Sequence, residues 1–143
     1  MRVNLCECQF IRVFHILAFI LISSSCVRIP GDLRINQIKA HQTLQSINVA
    51  QVKFKAVHGH YGSLQELSSA NLIDPTIVDG NKNGYRYEVR ARESCYEAVA
   101  MPQQFNITGV LSFYSNDSGV IRGAAKGGKE ASSNDAPVTI NDQ

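Results

Sequence analysis

Apolar and polar residues alternate with a helical period between residues 33 and 58, a stretch without glycine or proline. Apolar residues recur there at steps of three and four, forming a stripe of Ala40, Leu44, Ile47, Ala50, Phe54 and Val57. A second set widens this stripe on one side and comprises Ile38, Val49, Val52 and Ala56. The period predicts one long amphipathic helix over residues 33–58, which has to bury its apolar stripe against another element.

A short second helix is predicted over residues 64–70. Ser63 and Glu66 have the spacing of a capping box, in which each residue satisfies a free N–H group of the other. Asn71 follows the predicted helix and suits the left-handed conformation that often ends one. Residues 79–84, with the sequence DGNKNG, consist mainly of turn-forming residues and predict a loop.

Beyond residue 84 the pattern changes to a period of two. Tyrosine, valine and alanine alternate with arginine and glutamate over residues 85–91, which predicts a half-buried strand. Further strands are predicted over residues 95–101, 110–115 and 119–122. A small meander needs a cover for its apolar face. The predicted fold is therefore α+β, with the long N-terminal helix packed on a small antiparallel sheet of three or four strands.

The N-terminal residues form a separate segment. Residues 13–22 are apolar apart from His15, and Arg2 and Arg12 precede them. A helix needs about 20 apolar residues to cross a bilayer, so this run is too short to be an ordinary membrane span. Its length is typical of the hydrophobic region of a signal peptide.

The chain is accordingly divided into three parts. Residues 1–25 are interpreted as a signal or hydrophobic anchor segment, and residues 26–122 as the folded domain. Residues 123–143 are rich in glycine, alanine, lysine, serine and asparagine, which predicts a flexible polar tail.

Small residues directly precede Cys26, in the sequence Ser23-Ser24-Ser25-Cys26. This arrangement resembles the lipobox of bacterial lipoproteins, in which the cysteine is diacylated and becomes the mature N-terminus. Cys26 is therefore a candidate lipid-attachment residue. Secretory cleavage near Ser25 and an uncleaved short anchor are the alternatives. The expected location is the cell envelope, either anchored to the inner or outer membrane and facing the periplasm, or secreted.

Composition and charge indicate no further ligand. The net charge is +2, with both signs scattered and no lysine/arginine cluster, so a nucleic-acid partner is not expected. Cys95 is the one cysteine in the predicted folded part after Cys26, and it is interpreted as a small strand residue without a reactive role. No cofactor or small-molecule substrate is predicted.

The sequence contains no spacing typical of a catalytic site or a phosphate-binding loop. His58 and His60 lack further ligands nearby, and we interpret them as helix-end histidines at a solvated turn. His41 is expected on the flank of the helix. Glu88 and Glu97 are expected to pair with neighbouring arginines across the strands. We therefore predict no catalytic residue and no metal ligand.

Two loops offer oxygen donors of the kind that can bind calcium. They are Asp79 to Asn83 and the turn Asn116-Asp117-Ser118, and each contains a single carboxylate. Calcium takes 6–8 oxygen ligands, so both loops are interpreted as turns rather than ion sites.

Four strings carry a resemblance to a known family. They are TLQSINVAQVKFKAVHGHYGSLQELSSANLIDP (43–75), NGYRYEV (83–89), YEAVAMP (96–102) and SFYSNDSGVIR (112–122). Together they resemble the type IV pilin-like proteins, and within them the pilins and the major pseudopilins of type II secretion. The resemblance implies a long N-terminal helix whose second half packs on a small antiparallel sheet. It also implies a non-enzymatic role, with contacts to other pilin or secretion-system proteins or to further copies of the chain.

The N-terminus departs from the entry motif of that family. No glycine precedes Phe10, no glutamate follows it by four residues, and Arg12 and His15 interrupt the apolar run. Two expectations follow. The first is a pilin-like or pseudopilin-like envelope protein that acts by protein–protein contact in a pilus or secretion assembly. The second is a membrane-anchored lipoprotein that uses a pilin-like head as a binding module without polymerising.

Overall fold

The structure, a computed structural model, describes residues 31–140, with side chains from residue 33. Cys26 and the predicted signal or anchor segment lie outside the described residues. Two α-helices come first, α1 (Gly31–His58) and α2 (Leu64–Ser69), and a 3₁₀ turn follows at Pro75–Ile77. Within residues 31–140 no helix is both long and apolar enough to cross a membrane.

Five strands follow in chain order: β1 (Asn81–Lys82), β2 (Tyr85–Ala91), β3 (Tyr96–Pro102), β4 (Ser112–Asn116) and β5 (Arg122–Ala124). Neighbours along the chain are neighbours in the sheet, and every pair is antiparallel. The predicted α+β architecture, one long helix on an antiparallel meander, is confirmed. The sheet has five strands rather than three or four.

The additional strand, β1, lies inside the segment predicted as a loop. Asn83 and Gly84 both have positive φ, 51° and 75°, and join β1 to β2 through a two-residue turn. Such turns match the twist of paired strands and favour the dipeptide Asn-Gly. The turn formers at residues 79–84 therefore close a hairpin instead of filling an open loop.

The core lies between α1 and one face of the sheet. Five of the six residues of the predicted stripe are buried there, together with strand residues such as Tyr85, Tyr87, Ala98 and Phe113. The sixth, Val57, is 78% exposed, so its predicted burial is wrong. Phe54 is the last buried apolar residue of α1. The final helical turn therefore extends beyond the core.

The predicted widening of the stripe is also wrong. Val49 and Val52 are 55% and 67% exposed. At about 100° per residue, Val49 lies opposite the core-facing side of the helix. Four polar residues of α1 are buried although the sequence pattern did not predict them in the core. They are His41, Thr43, Asn48 and Gln51.

The C-terminal segment, residues 123–140, folds back over the sheet. Ala131 packs with Val99, Met101 and Tyr114 on the face opposite α1. The segment then reaches the β5 edge, where Val138 N–H donates to the carbonyl of Ile121 at 3.0 Å. The described part of the predicted flexible tail is thus packed against the domain and covers an edge strand, a feature that protects sheets from unwanted pairing.

Candidate interaction surface

The side of α1 that faces away from the sheet is exposed and carries apolar residues at regular spacing. We define the outer face of α1 as Ile35, Lys39, Gln42, Gln45, Ser46, Val49, Val52, Lys53 and Ala56, all of which are exposed. Val49 and Val52 lie one helical turn apart on this face. The helix therefore buries one side in its own domain and leaves apolar side chains on the other.

The spacing along the outer face matches the seam of a helix pair. Counting the half-buried Ile38, the central positions alternate in steps of three and four and are Ile35, Ile38, Gln42, Gln45, Val49, Val52 and Ala56. Residues at this spacing form the a and d positions of a coiled coil and pack between the side chains of a second helix. The outer face can therefore accept another helix along its length.

The charge of this surface has one sign. Residues 33–58 contain no Asp or Glu, and Lys39 and Lys53 are exposed on the outer face. Complementary charge steers association and selects among partners. The outer face is consequently better suited to a partner that presents carboxylates along its edge than to a second copy of this same basic face.

An open groove of about 490 Å³ runs beside α1, between the helix and the chain that follows α2. Lys39, Ser46, Leu72, Asp74 and Lys82 are among its lining residues. A close ion pair joins the Asp74 carboxylate to the Lys82 ammonium, and this bond from Lys82 holds the pKa of Asp74 well below its ordinary value. The Thr76 backbone N–H also donates to Asp74, at 2.9 Å. The groove thus has a polar, partly charge-neutralised lining beside the outer face.

The two helix-end histidines lie against an aromatic ring. Phe54 stacks on His58 with a centroid separation of 4.2 Å, and His60 meets the same ring edge-on at 5.5 Å. Within residues 31–140, no group of three or more His, Cys, Asp or Glu side chains is arranged to hold a metal ion. Packing at the end of α1 is therefore the role that the structure gives these histidines.

His41 does not lie on the helix flank as predicted. It is buried, with Nε2 at 3.2 Å from the carbonyl oxygen of Val138, and its ring meets that of Phe113 edge-on. The folding back of the C-terminal segment explains the difference, because Val138 covers a position that would otherwise be at the rim of the helix.

The predicted pairing of Glu88 and Glu97 with arginines across the strands is wrong. Glu88 pairs with Arg86 at 3.3 Å and with Arg90 at 3.2 Å, so these contacts run along β2. Arg90 also forms an ion pair with Glu130 of the C-terminal segment. Glu97 accepts a hydrogen bond from the Tyr114 hydroxyl at 3.2 Å.

Two further residues singled out in the sequence, Asn116 and Cys95, lie at a turn and next to a strand. In the turn after β4, Asn116 Oδ1 accepts from the backbone N–H and the hydroxyl of Ser118, at 3.1 and 2.7 Å, and so organises the turn. Cys95 is half-buried, with a free thiol, and directly precedes β3.

Two buried amide side chains of α1 were not anticipated from the sequence. Asn48 Oδ1 accepts from the hydroxyls of Tyr96 and Ser115, each at 2.8 Å. Gln51 bonds to the backbone of Gly62 through both of its amide atoms. Both residues lie on the core-facing side of α1, beside the apolar stripe. The only sign of them in the sequence is that a polar residue stands at a position that the helical period turns toward the core.

The chain matches no protein-family model, and a comparison with curated proteins finds no match either.

Proposed function

We propose that this protein is a non-enzymatic component of the cell envelope that resembles a type IV pilin or a type II secretion pseudopilin. It acts by protein–protein contact in a pilus or secretion assembly, with other proteins of that assembly or with itself. It is exported and held to a membrane by its N-terminal segment. The outer face of α1, with Val49 and Val52 exposed at the spacing of a helix seam, is the observation that carries the proposal.

The reason lies in the free energy of hydration. Apolar surface gains roughly 25 cal/mol per Å² when it leaves water, so exposed valines at seam positions favour association. Single exposed apolar residues are common on soluble proteins, but Val49, Val52 and Ala56 follow one another at the spacing that a partner helix recognises. The basic flank formed by Lys39 and Lys53 gives that contact a preference for acidic partners.

A non-enzymatic role agrees with the bonding of several polar side chains to other groups of the domain. The Asp74 carboxylate pairs with Lys82, and that of Glu88 with two arginines. Asn48 and Gln51 bind hydroxyls and backbone groups of the domain itself. These residues are committed to folding, whereas the side chains of the outer face are exposed.

The second candidate is a lipoprotein that uses the same head as a binding module without polymerising. The small residues before Cys26 favour it. The intact mass of the protein extracted from membranes separates the two. Lipid on Cys26 means that the apolar run at residues 13–22 has been removed and excludes assembly by the usual pilin route. A mass without lipid that retains this run excludes the lipoprotein.

Substitution of the outer face tests the proposal. The double variant Val49→Asp/Val52→Asp places two charges at the seam without touching the core, so it is expected to fold as the wild type does. After mild extraction from membranes, the wild-type chain should migrate as part of a larger complex and the double variant should not. Val120→Asp is the control, because Val120 is an exposed valine between β4 and β5 and is not part of the outer face. An unchanged complex in the double variant would refute a role for this face.

A further inference from the structure

The loop between β3 and β4 exposes two large apolar side chains at its tip. Phe105 is 38% and Ile107 is 42% exposed. The loop is folded on itself, since the N–H of Thr108 donates to the carbonyl of Gln104 at 2.8 Å. The two side chains therefore project from an ordered turn.

This loop is bound to the N-terminal end of α1. Asn36 Nδ2 donates to the carbonyl of Thr108 at 3.0 Å. The Gln37 side-chain oxygen accepts from the backbone N–H groups of Val110 and Leu111, each at 3.0 Å. Ile35, the residue before Asn36, is 49% exposed. Three exposed apolar residues are thus associated with the same end of the long helix.

The chain enters α1 at that end. Nine peptide steps separate Ile22, the end of the apolar run, from Gly31, which at 3.3–3.6 Å per residue is at most about 32 Å. From Cys26 the corresponding limit is about 18 Å. With either membrane attachment of the proposed function, the bilayer lies within that distance of the end of α1 to which the loop carrying Phe105 and Ile107 is bound.

We propose that the tip of the β3–β4 loop is a membrane-contact site, at which Phe105 and Ile107 insert into the interface of a phospholipid bilayer. The inference rests on the membrane attachment in the proposed function and adds a second point of contact. Lys129 stands beside the site, because its neighbour Gly128 lies against Phe105, and a lysine there can meet lipid phosphates. A second copy is the less suitable occupant, since a stable protein interface buries about 800 Å² on each partner and this tip presents two side chains.

The chain contains no tryptophan, so one introduced residue reports on its own surroundings. The full-length Phe105→Trp variant is inserted into phosphatidylcholine vesicles whose acyl chains carry bromine, a quencher of tryptophan emission. Ile107→Trp serves as the second variant. Val57→Trp is the control, because Val57 is exposed and lies about 33 Å from Ile35 along α1. Flotation of the vesicles measures attachment, and circular dichroism confirms that each variant folds.

The proposal predicts that all variants float with the vesicles. Phe105→Trp and Ile107→Trp should show blue-shifted emission that brominated lipid quenches, while Val57→Trp should keep its emission. Flotation without quenching at positions 105 and 107 would overturn the membrane-contact site and leave the proposed attachment standing. A blue shift of the tryptophan emission at positions 105 and 107 without quenching would mean that protein covers the tip. Equal quenching of the tryptophan at position 57 would mean that the chain contacts the lipid unspecifically. Either result overturns the proposal. Failure to float would overturn the attachment and the contact site together.

Discussion

The side-chain amide of Gln51 binds both backbone polar groups of Gly62. Nε2 donates to the Gly62 carbonyl at 2.6 Å, and Oε1 accepts from the Gly62 N–H at 2.9 Å. Gln51 is fully buried, and Gly62 lies in the connection between α1 and α2. A Cβ on residue 62 would meet the Phe54 ring at 3.0 Å, so a larger residue there requires the ring to shift. One glutamine thus sets where the chain turns back toward the sheet.

Gln51→Ala should destabilise the domain by about 2–4 kcal/mol, because it leaves two buried backbone groups without partners. The measurement is the free energy of unfolding from a denaturant titration. Gln45→Ala is the matched control, since Gln45 is an exposed glutamine of the same helix, and it should change stability by no more than about 0.5 kcal/mol. Equal losses of unfolding free energy in the two variants would show that the Gln51 hydrogen bonds do not stabilise the domain.

Asn48→Ala should cost about 2–3 kcal/mol of unfolding free energy. Its side chain links α1 to β3 through Tyr96 and to β4 through Ser115, and removal leaves two buried hydroxyls unpaired. Ser46→Ala, which removes only an exposed hydroxyl bonded within the helix, is the control. If Asn48→Ala unfolds at the same denaturant concentration as this control, the proposed link between helix and sheet is not significant.

The packing of the C-terminal segment is tested by charge at Ala131. Ala131 is buried among Val99, Met101 and Tyr114, so Ala131→Asp should destabilise by at least about 2 kcal/mol or detach the segment. Ser133→Asp, at an exposed position two residues on, should have little effect. Hydrogen exchange gives the second readout: the amides of Gly123 and Val138, which bond to Ala136 and Ile121, should be protected. Rapid exchange at both would mean that the segment is not packed.

Stability should decrease in alkali because burial raises the pKa of three tyrosines, Tyr85, Tyr87 and Tyr96. Burial raises the pKa of Tyr87 to about 12, and the nearby Thr43 side chain lowers this pKa by less. The Thr43 hydroxyl itself donates to the Lys39 carbonyl. Burial also raises the pKa of Tyr96 to about 12. Above an ordinary pKa of 10.0, the unfolded chain loses these protons while the folded domain retains them. The stabilisation is therefore complete below pH 10 and is lost as the pH rises to 12.

Denaturant titrations across that interval measure the effect. Each tyrosine contributes a decrease of up to about 1.4 kcal/mol per pH unit. Tyr87→Phe suits the test because the Tyr87 hydroxyl makes no hydrogen bond of normal geometry within the described residues. Its removal should flatten the decrease without a large loss at neutral pH. An identical slope in Tyr87→Phe and the wild type would contradict the assignment.

The period of apolar residues was sufficient to predict α1 and most of the sheet. Alternation over Tyr85–Ala91 gave β2 with its bounds, and the capping box of Ser63 and Glu66 is present at the start of α2. The pattern could not tell which apolar residues of α1 face outward. Val49 and Val52 are as hydrophobic as core residues, yet the side chains buried beside the predicted stripe are the polar Asn48 and Gln51.

Long-range pairing accounts for the other differences. β5 was expected at residues 119–122 but lies at Arg122–Ala124, where Gly123 is close to Phe113 and Val138. Glycine and alanine have little strand preference of their own, so this strand depends on its neighbours. The C-terminal segment also depends on its neighbours. Its composition is polar overall, so the few residues that pack against the domain do not stand out in the sequence. The interaction surface could not be anticipated either, because it depends on which side of α1 the sheet leaves open.

In-cell photo-cross-linking identifies what touches the outer face of α1. Benzoylphenylalanine replaces Val52 on the outer face of α1 in one strain and Gln65, an exposed residue of α2, in a control strain. The account predicts that irradiation yields a discrete adduct from position 52, with a second copy of the chain or with another envelope protein, and none from position 65. A protein that stays monomeric and free of adducts at position 52 would contradict the claim that it works through this helix.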